Sequence, residues 1–113
     1  MPARTKQFAR RIIRLYCALP KSGTVAQVLG KQVLRSGTSI GANYREAHRA
    51  RSKAEFISKI GDVLKEADET LYWLELLLEE NVMPAKRLLP LATEANELVA
   101  IFTTISKRSK GLG

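Results

Sequence analysis

The sequence predicts an all-α protein, an up-down-up-down antiparallel four-helix bundle that oligomerises. Apolar residues recur in alternating steps of 3 and 4 along four stretches, the period that keeps one stripe of a helix against a neighbour. Proline, glycine and asparagine interrupt the chain at 20–23 and 81–84, and a short polar turn falls near residue 50. Such short connections make successive helices antiparallel. The helices are expected at about 3–19, 24–48, 53–80 and 87–107 of one 113-residue domain, with 108–113 disordered.

In helix 1, Phe8, Ile12, Leu15 and Leu19 form the apolar stripe. Its other side is basic, with Arg10, Arg11 and Arg14 close together and Arg4 with Lys6 extending the patch. Cys17, beside Ile13 and Tyr16, reads as core packing. The turn at 20–23 ends the helix, and Thr24-x-x-Gln27 has the form of a capping box for helix 2.

Helix 2 carries the stripe Ala26, Leu29, Val33, Ser36, Ile40, Asn43 and Ala47. Ser36 and Asn43 on that stripe demand partners, because a buried polar group left unpaired costs about 1–3 kcal/mol. Gly37 and Gly41 each cost about 1 kcal/mol in a helix interior, so they imply that another backbone comes close. A loop over 36–42 is the competing reading, since Gly, Ser and Thr cluster in loops.

Helix 3 follows a second capping box, Ser52-x-x-Glu55, and has the stripe Ile57, Ile60, Leu64, Ala67, Leu71, Leu74 and Leu78. Antiparallel pairing with helix 2 sets Arg35 opposite Glu66 and Glu69, and Glu46 opposite Lys59, a polar seam expected to include Ser36 and Asn43. Val28, Leu34, Tyr72 and Leu76 lie off the core stripes and suggest an interface. Helix 4 is defined by Leu88, Leu91, Ala95, Leu98, Phe102 and Ile105. Its start is open: Pro90 suits a first turn near Arg87, or Pro84 opens a turn that then kinks.

The net charge of +8 is unevenly spread. Residues 1–53 hold twelve Lys/Arg against Glu46 alone, a net of +11; residues 54–80 hold two against eight acids, a net of −6; the remainder adds +3. Such asymmetry favours a polyanion or an acidic partner at the basic part, against the plainer reading of a solvated face paired with its own acids. No uncharged apolar run of about 18 residues and no signal peptide is evident, so a cytoplasmic protein without a membrane partner is expected. No phosphate loop, zinc-ligand spacing or nucleophile elbow occurs. The lone Cys17 and lone His48 stand far apart in sequence, and Glu46-Ala47-His48 lacks the Glu-x-x-His spacing of di-iron bundles. Neither cofactor, metal nor enzymatic activity is expected.

Residues 32–47, above all Arg35-Ser36-Gly37-Thr38-Ser39-Ile40 and Ala42-Asn43-Tyr44-Arg45-Glu46-Ala47, together with Glu55-Phe56-Ile57, Lys65-Glu66-Ala67 and Tyr72-Trp73-Leu74, resemble the four-helix-bundle family encoded in 23S ribosomal RNA intervening sequences. The resemblance covers nearly the whole chain and implies a homopentamer with no known catalysis. A related branch, the accessory proteins of diversity-generating retroelements, forms such pentamers and binds nucleic acid and a reverse transcriptase. The expected function is a non-enzymatic, homo-oligomeric basic scaffold that binds RNA or DNA with little sequence selectivity through Arg10, Arg11, Arg14, Arg45, Arg49, Arg51 and Lys53. The alternative is an adaptor that docks an acidic partner such as a reverse transcriptase or a ribosomal component.

Overall fold

A computed structural model describes residues 1–111 of the chain. Four helices, α1 (Pro2–Ala18), α2 (Thr24–His48), α3 (Lys53–Glu79) and α4 (Ala85–Ser109), run alternately up and down a body of 46 × 22 × 21 Å, with no strand among the described residues. Neighbours pack in chain order, α1 on α2, α2 on α3 and α3 on α4, and α1 closes only loosely onto α4.

Local chemistry sets the helix ends. Ser52 caps α3, its hydroxyl accepting from the Glu55 amide at 3.0 Å. At the other end Asn81 takes a left-handed φ of 54°. The Asn81 amide donates to the Leu78 carbonyl and the Val82 amide to that of Leu77, the paired bonds of a Schellman cap.

Two expected termini are corrected. Thr24 is the first residue of α2 rather than its cap, Gly23 takes the cap position, and the Gln27 side chain donates to the Pro20 carbonyl at 2.8 Å. Helix α4 starts at Ala85 and runs past the expected limit to Ser109, with Pro90 inside it. Arg108 and Ser109 are therefore helical rather than disordered. The Gly111 amide, at a φ of 76° that suits glycine, bonds the Arg108 carbonyl and closes that end. Residues 112–113 lie outside the described residues.

Segment 36–42 is helical, so the loop reading is set aside. Its polar side chains satisfy themselves on their own helix. Ser36, Thr38, Ser39 and Asn43 each donate to the carbonyl four residues back, at 2.9, 2.7, 2.6 and 3.0 Å. Asn43 thus does not join the inter-helix seam, because the Ser39 carbonyl takes its amide. Ser36 is fully buried, and its partner across the core is Thr70, whose Oγ1 lies 2.9 Å from Ser36 Oγ and 2.7 Å from the Glu66 carbonyl oxygen. One hydroxyl donates to the other, and that one to its own helix, so neither is left unpaired.

The core is formed by Phe8 and Ile12 of α1, Val33, Ile40 and Tyr44 of α2, Ile60, Val63, Leu74 and Leu77 of α3, and Leu88, Leu98 and Phe102 of α4. Three stripes differ from expectation, and α2 buries Gly30 and Tyr44 in place of Leu29 and Asn43. The buried row of α3 is Ile60, Val63, Ala67, Thr70, Leu74 and Leu77, and α4 buries Ser106 in place of Ile105. Cys17 is exposed, not packed. By composition and length α4 contains a window apolar enough to cross a membrane, with mean hydropathy 1.2. In the bundle Leu88, Leu91, Leu98 and Phe102 of this helix go into the core, while Leu89 stays exposed.

The glycines divide sharply. A Cβ on Gly37 would meet two atoms of the Ile12 side chain at 2.9 Å, whereas one on Gly41 would stand 3.4–3.5 Å from Thr5 and one on Gly61 would meet nothing within 4 Å. Gly37 is where α1 presses into α2, because Ile12 fills the space a side chain would need. Gly37→Ala should lower stability by about 1–3 kcal/mol through overpacking. Gly41→Ala and Gly61→Ala should hold or raise it by up to about 1 kcal/mol through helix propensity. Thermal unfolding of the three variants checks this ordering, and a Gly37→Ala protein as stable as Gly61→Ala would refute it.

Candidate nucleic-acid interface

Helix α1 carries basic groups on two flanks, Arg11 and Arg14 towards α4 and Lys6 towards α2. On the α4 side, Arg11 and Arg14 line a recess of about 190 Å³ with Arg87 and the apolar edges of Pro90 and Leu91. Arg10 is exposed on the helix surface and lines neither recess. On the α2 side, Lys6 faces Arg45, His48 and Arg49 across a groove of about 520 Å³. Arg51 and Lys53 are exposed in and just after the α2–α3 turn.

The structure brings Arg45 and Arg49 together with Lys6, and Arg11 with Arg14, but does not gather all seven expected residues into one pocket. What they share is the absence of a neutralising partner. Among the described residues the ion pairs within 4.0 Å involve only Arg4, Arg35 and Lys59 as cations. Sequence reading assigned Lys6 to the helix 1 patch without setting it opposite Arg45, and missed His48 and Arg87 as members of these recesses; their basic character was the available signal, but it did not indicate proximity.

Arg4 is the correction within the patch. Its Nε lies 2.7 Å from Glu94 Oε2 and its Nη2 2.7 Å from Glu94 Oε1 and 2.9 Å from Glu97. This fork holds α1 to α4 where the helices otherwise touch little, and it takes Arg4 out of the surface available to an anion. The hydrogen bonds to Glu94 and Glu97 hold the Arg4 guanidinium above its usual pKa. The bond from Arg4, working against partial burial, holds the Glu94 carboxyl below its ordinary range, and Arg11 adds a weaker pull in the same direction.

The polar seam between α2 and α3 holds a second arginine. Arg35 lies 3.3 Å from Glu66 and 2.8 Å from Glu69, and Lys59 Nζ lies 3.4 Å from Glu46. Partial burial opposes the Arg35 charge, but attraction and hydrogen bonding from Glu66 and Glu69 outweigh it and raise its pKa. The Arg35 side chain is 51% exposed, so each pair is worth the ~0.2–1 kcal/mol of a solvated bridge. The seam keeps Arg35 and Lys59 neutralised, as the fork does Arg4. Glu75 and Glu79 remain exposed on α3, as does Glu80 just beyond it. Among the described residues no cluster of three or more His, Cys, Asp or Glu side chains is placed to hold a metal ion.

The comparisons agree on kinship. The family model described as 23S rRNA-intervening sequence protein matches residues 3–104. A crystal structure of a protein with unknown function from the S23 ribosomal protein family of Bacteroides thetaiotaomicron is 41% identical and superposes with a TM-score of 0.86, covering 94% of this chain and 97% of that one. No curated protein matches the chain.

Because Glu94 is depressed in the folded state, the stability it contributes is complete above the unfolded carboxyl pKa near 4.5 and is lost as pH falls through the lower folded value. Glu94→Gln should remove on the order of 1 kcal/mol at pH 7. The difference between Glu94→Gln and the parent should shrink as unfolding is measured from pH 7 down to pH 3. A difference independent of pH would show that the Arg4 fork does not rely on the Glu94 charge.

Proposed function

The chain belongs to the 23S rRNA-intervening sequence protein family, and from that premise we propose that it is a non-enzymatic, homo-oligomeric scaffold that binds nucleic acid through the two basic flanks of α1 and the α2–α3 turn. The observation that carries this reading is the segregation of charge: the carboxylates that pair at all are taken up by Arg4, Arg35 and Lys59. Among the described residues, Arg10, Arg11, Arg14, Arg45, Arg49, Arg51 and Lys53 have no carboxylate within 4.0 Å. Arginine predominates among them, and its planar fork suits bidentate phosphate contact. Contacts of this kind position a strand without reading its sequence, so binding is tight and weakly selective. The ribosomal RNA connection in the family's description makes structured RNA the first polyanion to test.

Assembly is supported by apolar surface left over from the core. Val28 is 56% and Tyr72 54% exposed, and the α2–α3 register places them towards the end away from the α2–α3 turn. We place the contact between copies there, with five copies as the number that the family resemblance implies. A ring of copies would multiply each weak phosphate contact.

Light scattering should give a mass several times 12.6 kDa, and a stable monomer at micromolar concentration would exclude the assembly. In gel-shift titrations with structured RNA, duplex DNA and single strands, log K should fall linearly with log salt, at about −0.9 per phosphate neutralised on duplex DNA. Arg10→Glu combined with Arg14→Glu should flatten that slope. Loss of binding to all three at low salt, with retained binding to an acidic polypeptide, would favour the adaptor reading, in which the same surface docks an acidic protein.

A further inference from the structure

The groove between the start of α1 and the end of α2 is more than a charged surface. Its volume of about 520 Å³ lies within the roughly 300–1,000 Å³ of small-molecule sites. Its floor includes Ala9, Gly41 and Ala42, which put almost no side-chain bulk into it, and no acid lines it. Lys6, Arg45 and Arg49 supply the cations. The start of α1 opens on it at Pro2, uncapped by any acid, so the partial positive charge of that helix end acts in the same sense.

One wall is aromatic. The exposed His48 ring stands edge-on to Tyr44, with centroids 4.5 Å apart at 79°, and Tyr44 is in turn fixed edge-on against Phe102 at 5.3 Å. Tyr44 is buried, and that burial raises its phenol pKa. His48 is thus a flat ring braced from behind by the core.

We infer that this groove takes one unpaired nucleotide of a bound strand, its base against the apolar floor and the His48 ring and its flanking phosphates on Lys6, Arg45 and Arg49. The inference rests on the nucleic-acid reading above and sharpens it. A phosphate alone leaves most of 520 Å³ unfilled, and an acidic peptide side chain engages the cations but not the floor. A nucleotide satisfies both. A base still paired in a duplex presents only its edge, whereas unpaired bases stack on histidine and arginine faces. Binding would therefore discriminate strand state even while it ignores sequence.

The test uses the full chain and two single-stranded RNAs of equal length and charge, one of uridines and one with abasic residues at every position, titrated by fluorescence anisotropy at one salt concentration. The uridine strand should bind about tenfold or more tightly, the scale of a base stacked on a side chain. Ala42→Leu adds an apolar side chain to the groove at an exposed position. It should bring the two strands to parity by weakening only the uridine strand, with helicity unchanged by circular dichroism. Cross-linking of a 4-thiouridine strand should label the peptide containing Tyr44 and His48. Equal binding of both strands by the parent, or cross-links confined to the recess of Arg11, Arg14 and Arg87, would overturn the groove while leaving phosphate binding intact. Failure of both strands to bind at low salt would remove the nucleic-acid reading as well.

Discussion

Everything specific about the basic surface depends on how close α1 can come to α2, and that distance is set where Ile12 occupies the place of a missing side chain at Gly37, with Leu19 and Tyr16 filling the corresponding space at Gly30. Protein interiors are packed densely enough that one methyl group is felt. A Cβ there would push α1 outward, and α1 is the helix with least to hold it. It packs on α2 and meets α4 chiefly through the Arg4 fork to Glu94 and Glu97. One shape constraint and one charge-assisted contact therefore position Lys6, Arg11 and Arg14 relative to α2 and α4. The function proposed for the surface inherits its geometry from the core.

The same economy explains why a segment as polar as Ser36 to Asn43 can lie partly inside the bundle. Each small polar side chain folds back on a carbonyl of its own helix, so it enters the interface already satisfied and presents little bulk. Serine and threonine in helices often bond this way at a slight cost to helix stability. Here the gain is proximity. Only Ser36 reaches across, to Thr70, and that contact, together with Arg35 on its two glutamates, fixes the α2–α3 register that sends Arg45 and Arg49 towards α1.

Helix number, order and direction were legible because each helix repeats its apolar residues often enough to define a face. The exact face was less so. Reading α3 by apolar residues alone passes over Thr70, which is buried by a hydroxyl partner on another helix, and so selects Leu71 and misses Val63 and Leu77. Short-range signals such as the Ser52 cap can be read locally. Arg4 was assigned to the patch because its neutralising acids lie ninety residues away in the chain, a relation that no local pattern encodes. The groove was hidden for the same reason: Lys6 and Arg45 become neighbours only through the fold.

An even number of alternating helices returns the chain to the end from which it set out. The first residues of α1, the end of α2 and the end of α4, with Lys107 and Arg108 in its last turn, therefore gather at one pole of the molecule. For anyone handling the protein this has a practical side. A purification tag fused ahead of α1 emerges beside Lys6 and Arg45, and an acidic tag tethered there competes at the high effective concentration of an intramolecular ligand. Affinities for polyanions are properties of the untagged chain.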